Sequence, residues 1–230
     1  MKRHAFLIVA FASLLIMAAS ANAETSYRFE LYGSANIPMD KNFEIGPPQA
    51  TVRLPGEFKV SPGIRGGIRF GVDGLGHWGQ DISYSYGSNA SKIVVNQNGD
   101  FAFTGRSHQF AYNALLYPGG LSPQKFYPYL TAGAGGTIFT LSQKAINEGL
   151  IAGLGKLETH TSFTFNAGAG FRYQVKDSCG FRLDFRDYMS HPPRYGLLAS
   201  SDDPAVSVFP VKGIFHQFDV SIAFVYSFGK

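Results

Sequence analysis

The chain has 230 residues, with 20 Lys and Arg against 16 Asp and Glu and a single cysteine, Cys179. One cysteine excludes an intramolecular disulfide and any metal site built on thiolates, and the lack of a Lys/Arg-rich run argues against nucleic-acid binding. Gly (27), Phe (21) and Tyr (12) are abundant.

Lys2 and Arg3 precede an apolar run from Ala5 to Ala19 and then Ser-Ala-Asn-Ala ending at Ala23. A basic start, an apolar segment of about 7–15 residues and a small-x-small site predict a secretory signal peptide over residues 1–23. The mature chain, residues 24–230, is then expected to have 230 − 23 = 207 residues and 18 basic against 16 acidic side chains, about +2 net. No segment of it approaches the ~18 consecutive apolar residues of a spanning helix. An exported chain rich in Gly and aromatics without such a helix fits a membrane β-barrel.

Eight segments alternate with period two, the pattern of strands whose faces meet different surroundings. In Tyr27–Ile37, the residues Tyr27, Phe29, Leu31, Ala35 and Ile37 oppose Arg28, Glu30, Tyr32, Ser34 and Asn36. Pro62–Val72 sets Ile64, Ile68, Phe70 and Val72 against Arg65 and Arg69, and Gln80–Ser88 sets Ile82, Tyr84 and Tyr86 against Asp81, Ser83 and Ser85. Arg106–Leu116 follows, with Phe110, Tyr112, Ala114 and Leu116 opposite Ser107, Gln109 and Asn113. Tyr127–Ile138 is so rich in Gly that its facing is ambiguous. Phe163–Val175 opposes Thr164, Asn166, Arg172 and Gln174 to a row of Phe, Ala, Tyr and Val. In Phe181–Met189, Phe181, Leu183 and Phe185 alternate with Arg182, Asp184 and Arg186; His216–Phe228 closes the series with Gln217, Asp219 and Ser221 on its polar face.

The predicted links between these spans run 24, 7, 17, 10, 24, 5 and 26 residues. Long and short alternate throughout. A soluble sandwich or lipocalin has no reason to sort its links so, whereas an outer-membrane barrel has short periplasmic turns and long extracellular loops. Val72–Gly76, Leu116–Pro123 and Val175–Gly180 supply turn signals in the short links; Gly46–Pro48, Asn96–Asp100 and Ser200–Pro204 mark the long ones. An even strand number then puts both termini in the periplasm.

In such a barrel the apolar face meets lipid and the polar face points inward. The expected interior charges are Arg28, Glu30, Arg65, Arg69, Asp81, Arg172, Arg182, Asp184, Arg186 and Asp219. Isolated burial costs several kcal/mol per ion, so these groups must pair. Antiparallel heights place Glu30 beside Arg69, Arg186 near Asp219, and Asp184 between Arg182 and Arg172.

The terminal segment Val220–Phe228 alternates apolar and aromatic residues up to Phe228, with Gly229 and Lys230 beyond it. It resembles the C-terminal recognition signal of bacterial outer-membrane proteins, which usually ends on an aromatic. With the eight spans, the sequence resembles the small outer-membrane β-barrel superfamily, in the manner of OmpA-type and OmpX-type barrels. The resemblance implies an all-β, eight-stranded antiparallel up-and-down barrel in the outer membrane of a Gram-negative cell. Its expected partners are outer-membrane lipid and lipopolysaccharide, the barrel-assembly machinery through Val220–Phe228, and an extracellular ligand, unnamed by any motif, through the loops.

One class of small barrel is enzymatic, the lipid A deacylases and acyltransferases. His160-Thr161-Ser162 resembles the deacylase His-x-Ser pair, but Phe163 stands where that pattern continues with Asn. The pair also falls at a loop edge in the inward register, whereas an enzyme acting on lipid needs it turned outward. His77, His108 and His191 share no ligand spacing with it, and Thr131–Gly136 lacks the helix and lysine of a phosphate loop. Neither metal nor cofactor is expected, and Cys179, in the shortest turn, reads as an incidental thiol. The expectation is a non-enzymatic envelope or surface-interaction barrel whose lumen is filled by paired charges; the alternative is a narrow pore or small-solute transport barrel, with a lipid A-modifying enzyme behind both.

Overall fold

The computed structural model describes residues 26–45, 54–74, 76–95, 99–121, 125–151, 157–200 and 209–229. The predicted signal peptide lies outside them. The strands are β1 (Ser26–Pro38), β2 (Lys41–Ile45), β3 (Leu54–Val60), β4 (Gly63–Asp73), β5 (Trp78–Val95), β6 (Gly99–Leu116), β7 (Phe126–Leu141), β8 (His160–Lys176), β9 (Cys179–Ser190) and β10 (Phe215–Phe228). Between β7 and β8 lies a helix, α1 (Gln143–Ile151), whose start is capped by Ser142: its Oγ accepts from the Ala145 amide at 3.2 Å.

Eight strands close a ring in the order β1-β4-β5-β6-β7-β8-β9-β10, with β10 antiparallel to β1 from Tyr27↔Phe228 to Pro38↔Gln217. Closure leaves the ring without an edge, so each of its eight strands finds a partner on both sides, which is the condition for crossing hydrocarbon. Each predicted span falls within one of these eight strands, except that Pro62 precedes the start of β4. The faces divide by residue parity. On β1 the inward Arg28 and Glu30 are 0 % exposed, whereas the outward Leu31 is 61 % exposed. The Gly-rich β7 has a facing too: Tyr127, Tyr129, Thr131 and Thr137 are buried within, and Phe126 and Leu130 stand outside.

At one end of the barrel the links are short. The β4–β5 and β6–β7 turns interlock there, with the Leu121 amide donating to the Gly76 carbonyl at 2.7 Å and the Tyr117 amide to the His77 carbonyl at 2.8 Å. Gly76 has φ of 86°, a conformation other residues rarely adopt. The opposite end differs from the sequence expectation. The link after β1 contains the hairpin β2–β3, and β3 pairs with the upper part of β5 from Gly56↔Val95 to Val60↔Ser91. β5 and β6 continue past the barrel wall and pair as far as Val95↔Gly99, leaving residues 96–98 between them. The alternation of link lengths thus conceals a projecting sheet, because backbone pairing runs on where side-chain alternation fades. Above the barrel mouth, Val60, Phe139, Ala145, Leu157, Tyr195, Phe209, Val211 and Phe215 form a buried apolar cluster that ties α1 and the last long link to the sheet.

Glycines on the inward face of β7 and β8 let neighbouring backbones close up. A Cβ at Gly135 would stand 1.8 Å from the Phe110 carbonyl oxygen, whereas one at outward Gly66 would meet nothing within 4 Å. Gly135→Ala is therefore expected to destabilise the refolded barrel by about 1–3 kcal/mol in urea titration, and Gly66→Ala by no more than about 0.5 kcal/mol. Equal midpoints for the two variants would contradict the packing.

Candidate functional site

The inward residues of the eight strands form a polar core in three layers. Nearest the short turns, Arg28 from β1 and Arg172 from β8 share Asp73 of β4; Arg172 Nη1 lies 2.6 Å from Asp73 Oδ2, and Arg28 Nη1 donates to the other oxygen. Arg28 Nη1 also donates to the Tyr117 hydroxyl at 3.0 Å. Tyr117, just past the end of β6, is fully enclosed, and burial pushes its phenol up to about 12, with Arg28 pulling in the opposite direction. The Arg172 guanidinium lies over the Tyr127 ring at 4.7 Å.

The middle layer spans the barrel. Arg182 Nη1 reaches Glu30 Oε1 at 2.9 Å and Asp81 Oδ2 at 3.0 Å, while its Nη2 reaches Asp184 Oδ1 at 3.1 Å. One guanidinium on β9 thus joins carboxylates from β1, β5 and β9. Asp184 also receives Arg69 Nη1 at 2.7 Å and Arg186 Nη2 at 3.2 Å. Tyr129 accepts from Arg182 Nε at 2.7 Å and donates to Asp184, and Asn113 Nδ2 donates to Asp81 at 2.6 Å. Arg69 lies 4.0 Å over the Tyr32 ring.

Nearest the loops, Arg65 Nη2 donates to Gln217 Oε1 at 2.6 Å and Nη1 to Gln109 Oε1 at 3.1 Å, with Asp219 at 3.5 Å. Ser34 and Asn36 both donate to Asp219.

All ten sequence-selected charges are in this core, each no more than 6 % exposed. The partners differ from the predicted ones in two places. Glu30 does lie opposite Arg69, at 3.4 Å, but it also faces Arg28 and Arg182. Arg186 is opposite Asp219 in register, yet its guanidinium turns to Asp184 and Asp81, and Asp219 goes to Arg65. Arg172 does not reach Asp184. It sits directly opposite Arg182 in the β8–β9 ladder, and this like-charged neighbour leaves Asp73 as its partner. Asp73 is an interior acid that the reading as a turn residue missed; the parity of Arg65 and Arg69 extended by four more residues would have found it.

His160, Thr161 and Ser162 open β8. Ser162 Oγ is buried and donates to the His191 carbonyl at 3.2 Å, a structural bond that anchors the long link after β9. Cys179 is half-buried at the head of β9.

The three guanidiniums on Asp184 set the expected outcome of removing it. Asp184→Asn leaves Arg69, Arg182 and Arg186 undercompensated and is expected to cost about 3–5 kcal/mol, read as a lower urea midpoint for loss of heat-modifiable migration. A midpoint equal to that of the parent protein would contradict the shared-ion geometry.

Comparison with known proteins follows the same outline. Residues 7–209 match the family described as outer membrane protein beta-barrel domain. No curated protein sequence matches. Among solved structures, the outer membrane protein OprG from Pseudomonas aeruginosa aligns over 90 % of this chain and 98 % of its own, at 15 % identity and a TM-score of 0.65. Outer Membrane Protein W of E. coli aligns over 90 % of this chain and 100 % of its own, at 18 % identity and a TM-score of 0.48. At 15 % identity the likeness to OprG is one of fold. The family match covers most of the sequence, and the chain belongs to the outer membrane protein β-barrel family.

Proposed function

We propose that the protein is a non-enzymatic outer-membrane barrel, closed along its axis, that serves the envelope through its packed loop end. The observation that carries this reading is the bridging of Glu30, Asp81 and Asp184 by Arg182. An eight-stranded barrel has an interior only wide enough for its own side chains. An ion or solute moving along the axis must separate buried pairs, at several kcal/mol per uncompensated charge. A narrow pore would need a path past this layer, and the bridging supports the closed reading instead.

In this reading the long links face the cell exterior and both termini lie in the periplasm. The apolar cluster of Val60, Phe139, Leu157, Tyr195, Phe209, Val211 and Phe215 supports it by giving the loop end a defined surface, as a contact with a ligand outside the cell requires. The outward alternation of Val220, Ile222, Phe224, Tyr226 and Phe228 supports recognition of the last strand by the barrel-assembly machinery.

Two measurements test the proposal. Planar-bilayer recordings of the refolded protein are expected to show almost no steady conductance; a stable open level would favour the pore. In intact cells, a membrane-impermeant maleimide is expected to leave native Cys179 unlabelled and to label Ser200→Cys made in a Cys179→Ser background. The reverse pattern would turn the barrel over.

A further inference from the structure

We propose that Tyr86, Arg106 and His108, on the outward face at the loop end, bind the phosphate group of an outer-leaflet lipid. The proposal rests on the loop end facing the cell exterior.

These residues stand together across the β5–β6 ladder: Ser88 lies opposite Arg106, Tyr86 opposite His108 and Tyr84 opposite Phe110. Below them the outward residues of β6 are Phe110, Tyr112, Ala114 and Leu116, an apolar path ending at the short turns. Arg106 is ten residues from Leu116 along β6. A strand crosses the hydrocarbon in about 9–11 residues, so Arg106 reaches the level where acyl chains give way to headgroups. There the exposed guanidinium lies 6.0 Å from the Tyr86 ring centre, and no carboxylate among the described residues pairs with it. Asp187, an outward acid on β9 at this end, is joined instead to His216 at 2.7 Å.

His108 adds a second donor. Its Nδ1 lies 3.0 Å from the Tyr84 hydroxyl. A neutral imidazole that accepts from that phenol carries its own proton on Nε2, ready to donate. Gly66, opposite Tyr86 on the other side, has open space where a side chain would stand. A lipid phosphate on Arg106 and His108 can therefore lay an acyl chain beside the Tyr86 ring. The chemistry selected is a phosphomonoester on a lipid, as lipid A carries, because the apolar path holds the chains and the guanidinium–imidazole pair holds a dianion by charge-assisted hydrogen bonds.

The test is lipid retention by the purified, refolded protein in detergent, read by native mass spectrometry. The probes are bisphosphorylated lipid A, the same lipid with its phosphates removed, phosphatidylglycerol and inorganic phosphate. Parent protein is expected to keep bisphosphorylated lipid A about tenfold better than the dephosphorylated form, the worth of one charge-assisted contact. Arg106→Gln should remove that preference and Arg106→Lys restore most of it, with inorganic phosphate failing to compete. The variants leave the interior untouched, and heat-modifiable migration confirms their folding. Raising salt from about 0.1 M to about 1 M, which shortens the screening length from about 10 Å to about 3 Å, should weaken lipid A retention by the parent protein severalfold. Equal retention of the two lipid A forms, an unaltered preference in Arg106→Gln, equal retention of phosphatidylglycerol, or indifference to salt would each overturn the proposal. Reversed cysteine labelling would instead invert the barrel without changing these binding results.

Discussion

Arg182 bridging Glu30, Asp81 and Asp184 is the contact on which the architecture turns. A soluble protein drives folding by burying apolar groups. Here Leu31, Ile64, Phe185 and Phe224 are exposed on the outside, and lipid is their solvent. What remains inside must hold six arginines, Arg28, Arg65, Arg69, Arg172, Arg182 and Arg186, against five acids, Glu30, Asp73, Asp81, Asp184 and Asp219. Each ion is tolerable only because its neighbours satisfy it, so the interior must be organised as one network. Tyr129, Asn113, Gln109 and Gln217 add hydrogen bonds to it.

The two ends of the barrel differ for a related reason. At the short-turn end the polar core stops at Asp73, Arg172 and Tyr117, roofed by turns that hydrogen-bond to one another. At the loop end it gives way to an apolar cluster, so the links above the mouth have a small hydrophobic core of their own.

Much of the fold was legible because a transmembrane strand has two chemically opposite faces. Period-two alternation located all eight barrel strands and separated Arg182, Asp184 and Arg186 from Phe181, Leu183 and Phe185. It left the facing of β7 open, because Gly133, Gly135 and Gly136 carry no side chain to alternate; Tyr127 and Tyr129 settle the facing. Asp73 was lost because a DG pair reads as a turn, although here the acid still belongs to the strand. Partner choice was legible only in part. Register fixes which backbones are neighbours, but a long guanidinium in a narrow barrel can reach across the lumen, so Arg65 meets Asp219 and Arg172 meets Asp73. The projecting β5–β6 sheet was hidden because Ser, Asn and Gly signal a loop whether or not their backbones pair.

The most direct test of a closed, mutually paired interior is the behaviour of the arginine side chains themselves. In the refolded barrel, nuclear magnetic resonance of the guanidinium protons should show Arg28, Arg65, Arg69, Arg172, Arg182 and Arg186 exchanging slowly with solvent and rotating slowly, with Arg106 exchanging as a free side chain does. If the six exchange as fast as Arg106, the lumen is open to water and the account of a charge-packed core is wrong.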